Sequence, residues 1–228
     1  MRISIPARRW KRFPSAPAKT SVTQMLTDLP NVLTLSRIAA IPLVVALAVI
    51  GQPAADLAAC VVFAVAGVTD YLDGHFARSR RQLSDLGRML DPIADKLLVG
   101  ATLMVLAGEA RLPFGALYPA IVILLREILV SGLREYLAGV RVGLPVTRLA
   151  KWKTGVQMAA LGTLLAGDRT AALIGLPWLP ASAIGAVMLW AAALLTLVTG
   201  WDYLTAGLRH AARGPTQVPP ARKEARTG

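Results

Sequence analysis

The strongest constraint on this chain is a succession of apolar runs, each long enough to cross a bilayer. They cover about residues 31–50, 57–76, 89–108, 114–136, 154–173 and 180–206. A spanning helix needs roughly 20 such residues. Backbone polar groups in lipid must be satisfied internally, so the choice lies between helices and a closed barrel. A barrel would alternate apolar and polar residues with period two, and these runs do not. The expected fold class is therefore all-α, a polytopic membrane protein with six transmembrane helices. The run at 154–173 is the least regular, because Asp168 and Arg169 interrupt it and "GLPWLP" follows as a loop.

Charge placement sets the orientation. The 228 residues carry a net charge of +12. In a soluble protein that balance would suggest nucleic acid; a chain 55% hydrophobic with mean hydropathy +0.54 is not one. Lys and Arg gather before the first run, at Arg78–Arg88, at Arg134–Lys153 and after Arg209, while the intervening loops carry only Arg111 and Arg169. Basic residues mark every second loop, so both termini are expected in the cytoplasm. Topology and attraction to anionic lipid account for most of this charge, and no nucleic-acid partner is expected. Residues 1–20 read as a basic flexible arm, 21–207 as the membrane domain and 208–228 as a disordered basic tail. "TSVTQMLTDLPN" suits a short interfacial helix before the first span. The first run starts too late and is too long for a signal peptide. Cys60 is the only cysteine, so no intramolecular disulfide forms. Abundant Ala and Gly let helices approach closely, which favours a compact bundle and is compatible with a dimer.

The segment between the second and third runs, "DYLDGHFARSRRQLSDLGRMLDPIAD", carries carboxylates at measured intervals. Asp70, Asp73 and Gly74 lie at i, i+3 and i+4, one helix face, and Ala77 and Arg78 continue it. Gly87, Asp91 and Asp95 lie at i, i+4 and i+8 on the next helix. Asp85 is off this register and reads as a solvated loop residue. Four unpaired anions would repel one another in low dielectric. Divalent cations relieve that, and ligands that are all oxygen suit Mg²⁺ or Mn²⁺. Four carboxylates can hold two such ions, an arrangement suited to phosphoryl chemistry. The plainer reading pairs these aspartates with Arg78, Arg88 or Lys96; for carboxylates in register at a membrane edge, function is the default.

The pattern Asp70-x2-Asp73-Gly74-x2-Ala77-Arg78-x8-Gly87-x3-Asp91-x3-Asp95 resembles, without departure, the signature of the CDP-alcohol phosphatidyltransferases. "PNVLTLSRIAAIPLVV", "REILVSGLREYLA" and "LAKWKTGVQM" are similar to the bacterial branch that makes phosphatidylglycerophosphate. The resemblance covers about residues 29 to 206. It implies six transmembrane helices, a homodimer and a cytoplasm-facing polar cavity in the bacterial inner membrane. It implies a two-metal site of Asp70, Asp73, Asp91 and Asp95. It also implies CDP held by Asp73, Gly74 and Arg78, and Asp95 as general base beside Asp91. The implied substrates are CDP-diacylglycerol and glycerol 3-phosphate. Gly74 would let a nucleotide approach the backbone, and Arg78 can fork onto phosphate oxygens.

An acceptor phosphate needs further cations. Arg126 and Arg134 are eight apart on the fourth run and are expected to share a face, and Lys151 and Lys153 follow in the next cytoplasmic loop. Arg126 stands inside an apolar run, where an unpaired charge is costly. Alternatively Arg126 and Arg134 pair with Glu127 and Glu135 or snorkel, and Lys151 and Lys153 anchor at the interface around Trp152. Asn31, Thr34 and Arg37 recur every three residues on the first run. Asn31 could cap the helix and Arg37 could snorkel; the resemblance favours contacts to CDP for Asn31 and Thr34, and cavity lining for Arg37 and Gly87. Two other functions compete: the same chemistry with phosphatidylglycerol or inositol phosphate as acceptor, or a cation transporter using the carboxylates as a relay.

Overall fold

A computed structural model describes residues 29–80, 85–139 and 148–212. Among these residues every regular element is an α-helix: α1 (Leu29–Ile50), α2 (Pro53–Arg80), α3 (Asp85–Gly108), α4 (Leu117–Gly139), α5 (Arg148–Leu173) and α6 (Ala181–Ala212). Four of the six expected apolar runs lie within one helix, while those at 114–136 and 180–206 begin in the turn before α4 and α6; most helices overrun their run. Helical hydrogen bonding continues past the apolar surface into polar residues at the ends. The last helix reaches Ala212, so any basic tail starts later than residue 208. The expected arm at 1–20 and nearly all of the expected interfacial helix lie outside the described residues. Pro30 is the second residue of α1, where its missing N–H costs no hydrogen bond.

Among the described residues, turns at 51–52, 109–116 and 174–180 join α1 to α2, α3 to α4 and α5 to α6. Between α1 and α2, Gly51 has φ of 68°, a left-handed residue that ends one helix, and Pro53 opens the next. Inside α5, Gly167 has φ of 65° and breaks the helical geometry. Of the two neighbouring charges that looked like interruptions of a span, Asp168 is tied down there. Asp168 accepts a hydrogen bond of 2.8 Å from the Ser182 N–H in the first turn of α6, one of the donors a helix start leaves over.

Helix α1 packs against both α2 and α3, α2 against α5, α4 against α6, and α5 against α6. Helices α2 and α3 both lean on α1. The α5–α6 contact is close because Gly185 has no side chain: a Cβ there would lie 2.7 Å from Leu164 Cγ. Phe63, Leu98, Leu106, Ile123, Leu161 and Leu164 fill the core. Far from the carboxylate segment, buried Asp56 receives Arg111 Nη1 at 2.7 Å, and Arg111 Nη2 donates to the Ala48 carbonyl at 2.8 Å. That ties α1, α2 and the α3–α4 turn together.

The outer faces are apolar. Val61, Val65 and Val68 on α2, Leu125, Ile128 and Leu129 on α4, and Leu194, Leu197 and Val198 on α6 are all exposed. Among the described residues two helices, α1 over Asn31–Ile50 and α6 over Ala181–Thr205, are by themselves long and apolar enough to cross a membrane. The others carry charges within their runs, which lowers their hydropathy. The pattern is that of a membrane protein.

Candidate active site

The ends of α2 and α3 carry the carboxylate motif on helical backbone throughout. On that backbone Asp70 and Asp73 stand about one turn apart on α2, and Asp91 and Asp95 about one turn apart on α3. The side chains of Asp70, Asp73, Arg78 and Asp91 lie outside the described residues. Asp85 is the first residue of α3 and not part of a loop. Asp95 is described. It lines a groove together with Arg37, and its Oδ2 lies 3.1 Å from Lys96 Nζ. The described residues by themselves include no cluster of metal-ligating side chains. The donor set fits Mg²⁺ or Mn²⁺ by its chemistry: paired carboxylates one turn apart on two helices offer only oxygen.

On α1, at the same end, Asn31, Thr34 and Arg37 are all buried, Arg37 at 2% exposure. An arginine so enclosed is not snorkelling. Asn31 is the third residue of its helix and so sits past the capping position.

Beside Asp95 lies a charge cluster with Glu127 at its centre. Lys96 of α3 and Lys153 of α5 both donate to the Glu127 carboxylate, and Arg126 Nη1 lies 3.3 Å from its Oε1. Arg126 reaches across to α6: Nη2 donates to Thr199 Oγ1 at 3.0 Å, and the guanidinium stands 5.9 Å from the Tyr203 ring centroid. Gly200 makes room for it, since a Cβ there would come within 3.1 Å of Arg126 Nε. That Nε is buried with no hydrogen-bond partner in the protein. Lys96 links the cluster to the carboxylate motif, because it pairs with Asp95 as well as Glu127.

The cluster gathers Arg126 and Lys153 but not Arg134, which is exposed. Eight residues turn a helix by about 80° beyond two full turns, enough to carry the second arginine off the buried face. The Lys151 side chain lies outside the described residues. The pairing of Arg126 with Glu127, one of the alternatives weighed above, is present. Sequence reasoning gave Glu127 and Lys96 too little weight. The cost of an intramembrane charge, which drew attention to Arg126, applies equally to its neighbour Glu127. Thr199, Gly200 and Tyr203 gave no signal, being ordinary residues in an apolar helix.

A groove of about 980 Å³ runs from Arg37 and Asp95 toward Ile174 and Leu179 at the opposite end. Its walls are one face of α2, including Cys60, Phe63 and Gly67, and one face of α5, including Gly155, Gly162 and Ala166. Small residues on α5 keep it open, and its lining is mostly apolar.

Comparison with known proteins finds a match of residues 27–198 to the family model of the CDP-alcohol phosphatidyltransferases. A protein of Rickettsia bellii named CDP-diacylglycerol–glycerol-3-phosphate 3-phosphatidyltransferase is 44% identical over 179 residues, covering 78% of this chain and 94% of its own. Proteins of the same name from Cereibacter sphaeroides and Bacillus subtilis are 37% and 35% identical, with 79% and 78% of this chain covered and 96% and 94% of theirs.

Proposed function

This chain belongs to the CDP-alcohol phosphatidyltransferase family, and from that premise we propose that it moves the phosphatidyl group of CDP-diacylglycerol to the 1-hydroxyl of sn-glycerol 3-phosphate. The products are phosphatidylglycerophosphate and CMP. The observation that carries this reading is the junction at Lys96, which joins Asp95 of the family motif to a buried cation cluster suited to a phosphate. The like-named relatives support the same acceptor.

The family generally depends on divalent metal, and Asp70, Asp73, Asp91 and Asp95 are the residues that would hold two Mg²⁺ or Mn²⁺ ions. When bound, such ions would supply positive charge to offset that of the pyrophosphate and of the departing CMP. Asp95 takes the proton of the acceptor hydroxyl, which is a poor nucleophile at neutral pH. Its ion pair with Lys96 holds it facing the groove. Asp73, Gly74 and Arg78, with Asn31 and Thr34 from α1, hold the CDP group. The apolar groove between α2 and α5 takes acyl chain, with the headgroup at its polar end near Arg37 and Asp95. Arg126 and Lys153 receive the acceptor's phosphate. Arg134 and Lys151, on the same end of the bundle, attract anions toward it.

The six helices span the bacterial inner membrane with both termini and the site in the cytoplasm. The alternate basic loops support that orientation. The resemblance supports a homodimer. The test is acceptor screening with purified protein, CDP-diacylglycerol and Mg²⁺, following CMP release. Glycerol 3-phosphate should be the preferred acceptor. Faster release with phosphatidylglycerol or inositol phosphate would reassign the acceptor, and no release with any of them would reject the reading.

A further inference from the structure

Lys96, Arg126 and Lys153 come from three helices and converge on a single carboxylate, that of Glu127. Glu127 is 4% exposed and Lys153 6%. Solvent neutralises neither, so cations gathered there need an anion among them. An arriving phosphate offers the same cations a second anion. Two anions side by side repel, so carboxylate and phosphate compete for the same donors. The cluster also has unused hydrogen-bonding capacity. Arg126 Nε is buried without a protein partner, on a guanidinium whose Nη atoms are already engaged. Gln157 Oε1, one turn beyond Lys153 on α5, is likewise buried without one. The Nε–H is a donor without an acceptor in the protein, on a guanidinium, a group whose fork of donors suits an oxyanion.

We propose that Glu127 is the resident counter-ion of the acceptor-phosphate subsite, holding Lys96, Lys153 and Arg126 in place and ceding Lys153 and Arg126 to a phosphate monoester when the acceptor binds. This rests on the reading that Arg126 and Lys153 receive that phosphate. Glu127 is a positioning residue, because it touches the cations and not the reacting atoms. Its carboxylate weakens phosphate binding and so speeds release. The product retains the acceptor's phosphate, and a cradle of unopposed buried cations would keep it. When the product leaves, the carboxylate takes the cations back, and they are never left unneutralised.

The probe is inorganic phosphate, titrated against thermal unfolding of the purified full-length protein and used as a competitor of glycerol 3-phosphate. Phosphate should stabilise the unmodified protein and compete with the acceptor. Glu127→Gln keeps the shape and removes the charge. It should melt lower in phosphate-free buffer, bind phosphate roughly tenfold tighter, the size of one charge-assisted contact, and lower both the acceptor's KM and kcat. The KM for CDP-diacylglycerol should hold. Glu127→Asp retains the charge for folding but withdraws it by one methylene, and should shift phosphate affinity the same way by less; it decides the matter should the glutamine variant not fold. Unchanged or weaker phosphate affinity in the variants would make Glu127 a structural ion-pair partner and overturn the proposal. Failure of phosphate to protect or compete in the unmodified protein would reject the subsite itself, and the proposal with it. That second failure is read on the unmodified protein alone, so the two are distinguishable.

Discussion

Arg126→Gln separates binding from architecture at the acceptor subsite, and the structure gives the size of each part. The change removes the donor to Thr199 at 3.0 Å, the contact with Glu127 at 3.3 Å and the charge over Tyr203. Breaking a buried ion pair ordinarily costs about 3–5 kcal/mol, because one charge is left alone. Here neither partner is stranded. Glu127 keeps Lys96 and Lys153, and the Thr199 hydroxyl keeps its own acceptor, the Leu195 carbonyl at 2.8 Å. The structural loss is therefore about 1–2 kcal/mol, a fall in melting temperature of a few degrees for a chain of this size. Loss of a charge-assisted contact to the acceptor's phosphate is worth about 1.5–3 kcal/mol, or roughly ten- to a hundredfold in KM for glycerol 3-phosphate. The KM for CDP-diacylglycerol should change little. Varying each substrate in turn, beside a melting curve in the same detergent, measures both parts. A melting shift of the expected size with an unchanged acceptor KM would refute the assignment and leave Arg126 as a bolt between α4 and α6.

Asp70→Asn, Asp73→Asn and Asp91→Asn should each abolish CMP release with the melting temperature near that of the unmodified protein, since a metal ligand needs charge and not volume; near-normal turnover in any of them removes that residue from the metal site. Asp95→Asn should be equally inactive yet retain more Mg²⁺ affinity by calorimetry than Asp91→Asn, and equal loss would make Asp95 chiefly a ligand. At the far end, Asp56→Asn leaves the Arg111 guanidinium, 15% exposed, without its counter-ion. It should cost about 3 kcal/mol, the low end for a buried pair given that residual exposure, and leave both KM values unchanged; an unaltered melting curve would refute the tie. Gly162→Leu puts a side chain into the groove, where the nearest atoms, Cys60 Sγ and Phe63 Cδ1, stand 3.9 Å from the position of its Cβ. It should raise KM for CDP-diacylglycerol several-fold and spare the acceptor, and the opposite pattern would place the acyl chain elsewhere.

The sequence by itself determined the helices and the carboxylate motif. Length, apolar runs and basic loops leave lipid only one arrangement of backbone hydrogen bonds to accept, and i, i+3 and i, i+4 spacing is a property of one helix, readable without neighbours. Residues 70–95 therefore announced themselves. What tertiary structure alone decided was which charges meet. Lys96, Glu127 and Lys153 are on three helices, and no local spacing relates positions 31 and 26 residues apart. The same limit hid the parts played by Thr199 and Gly200, whose importance lies wholly in what stands opposite them. Helix geometry already turns Arg134 about 80° away from Arg126; the packing of α4 on α6 decided that Arg126 is the one buried. The groove between α2 and α5 exists because small residues on two helices, far apart in the chain, come face to face. Periodicity is local physics and survives in the sequence; charge pairing and cavities depend on through-space distance, which only the folded chain defines.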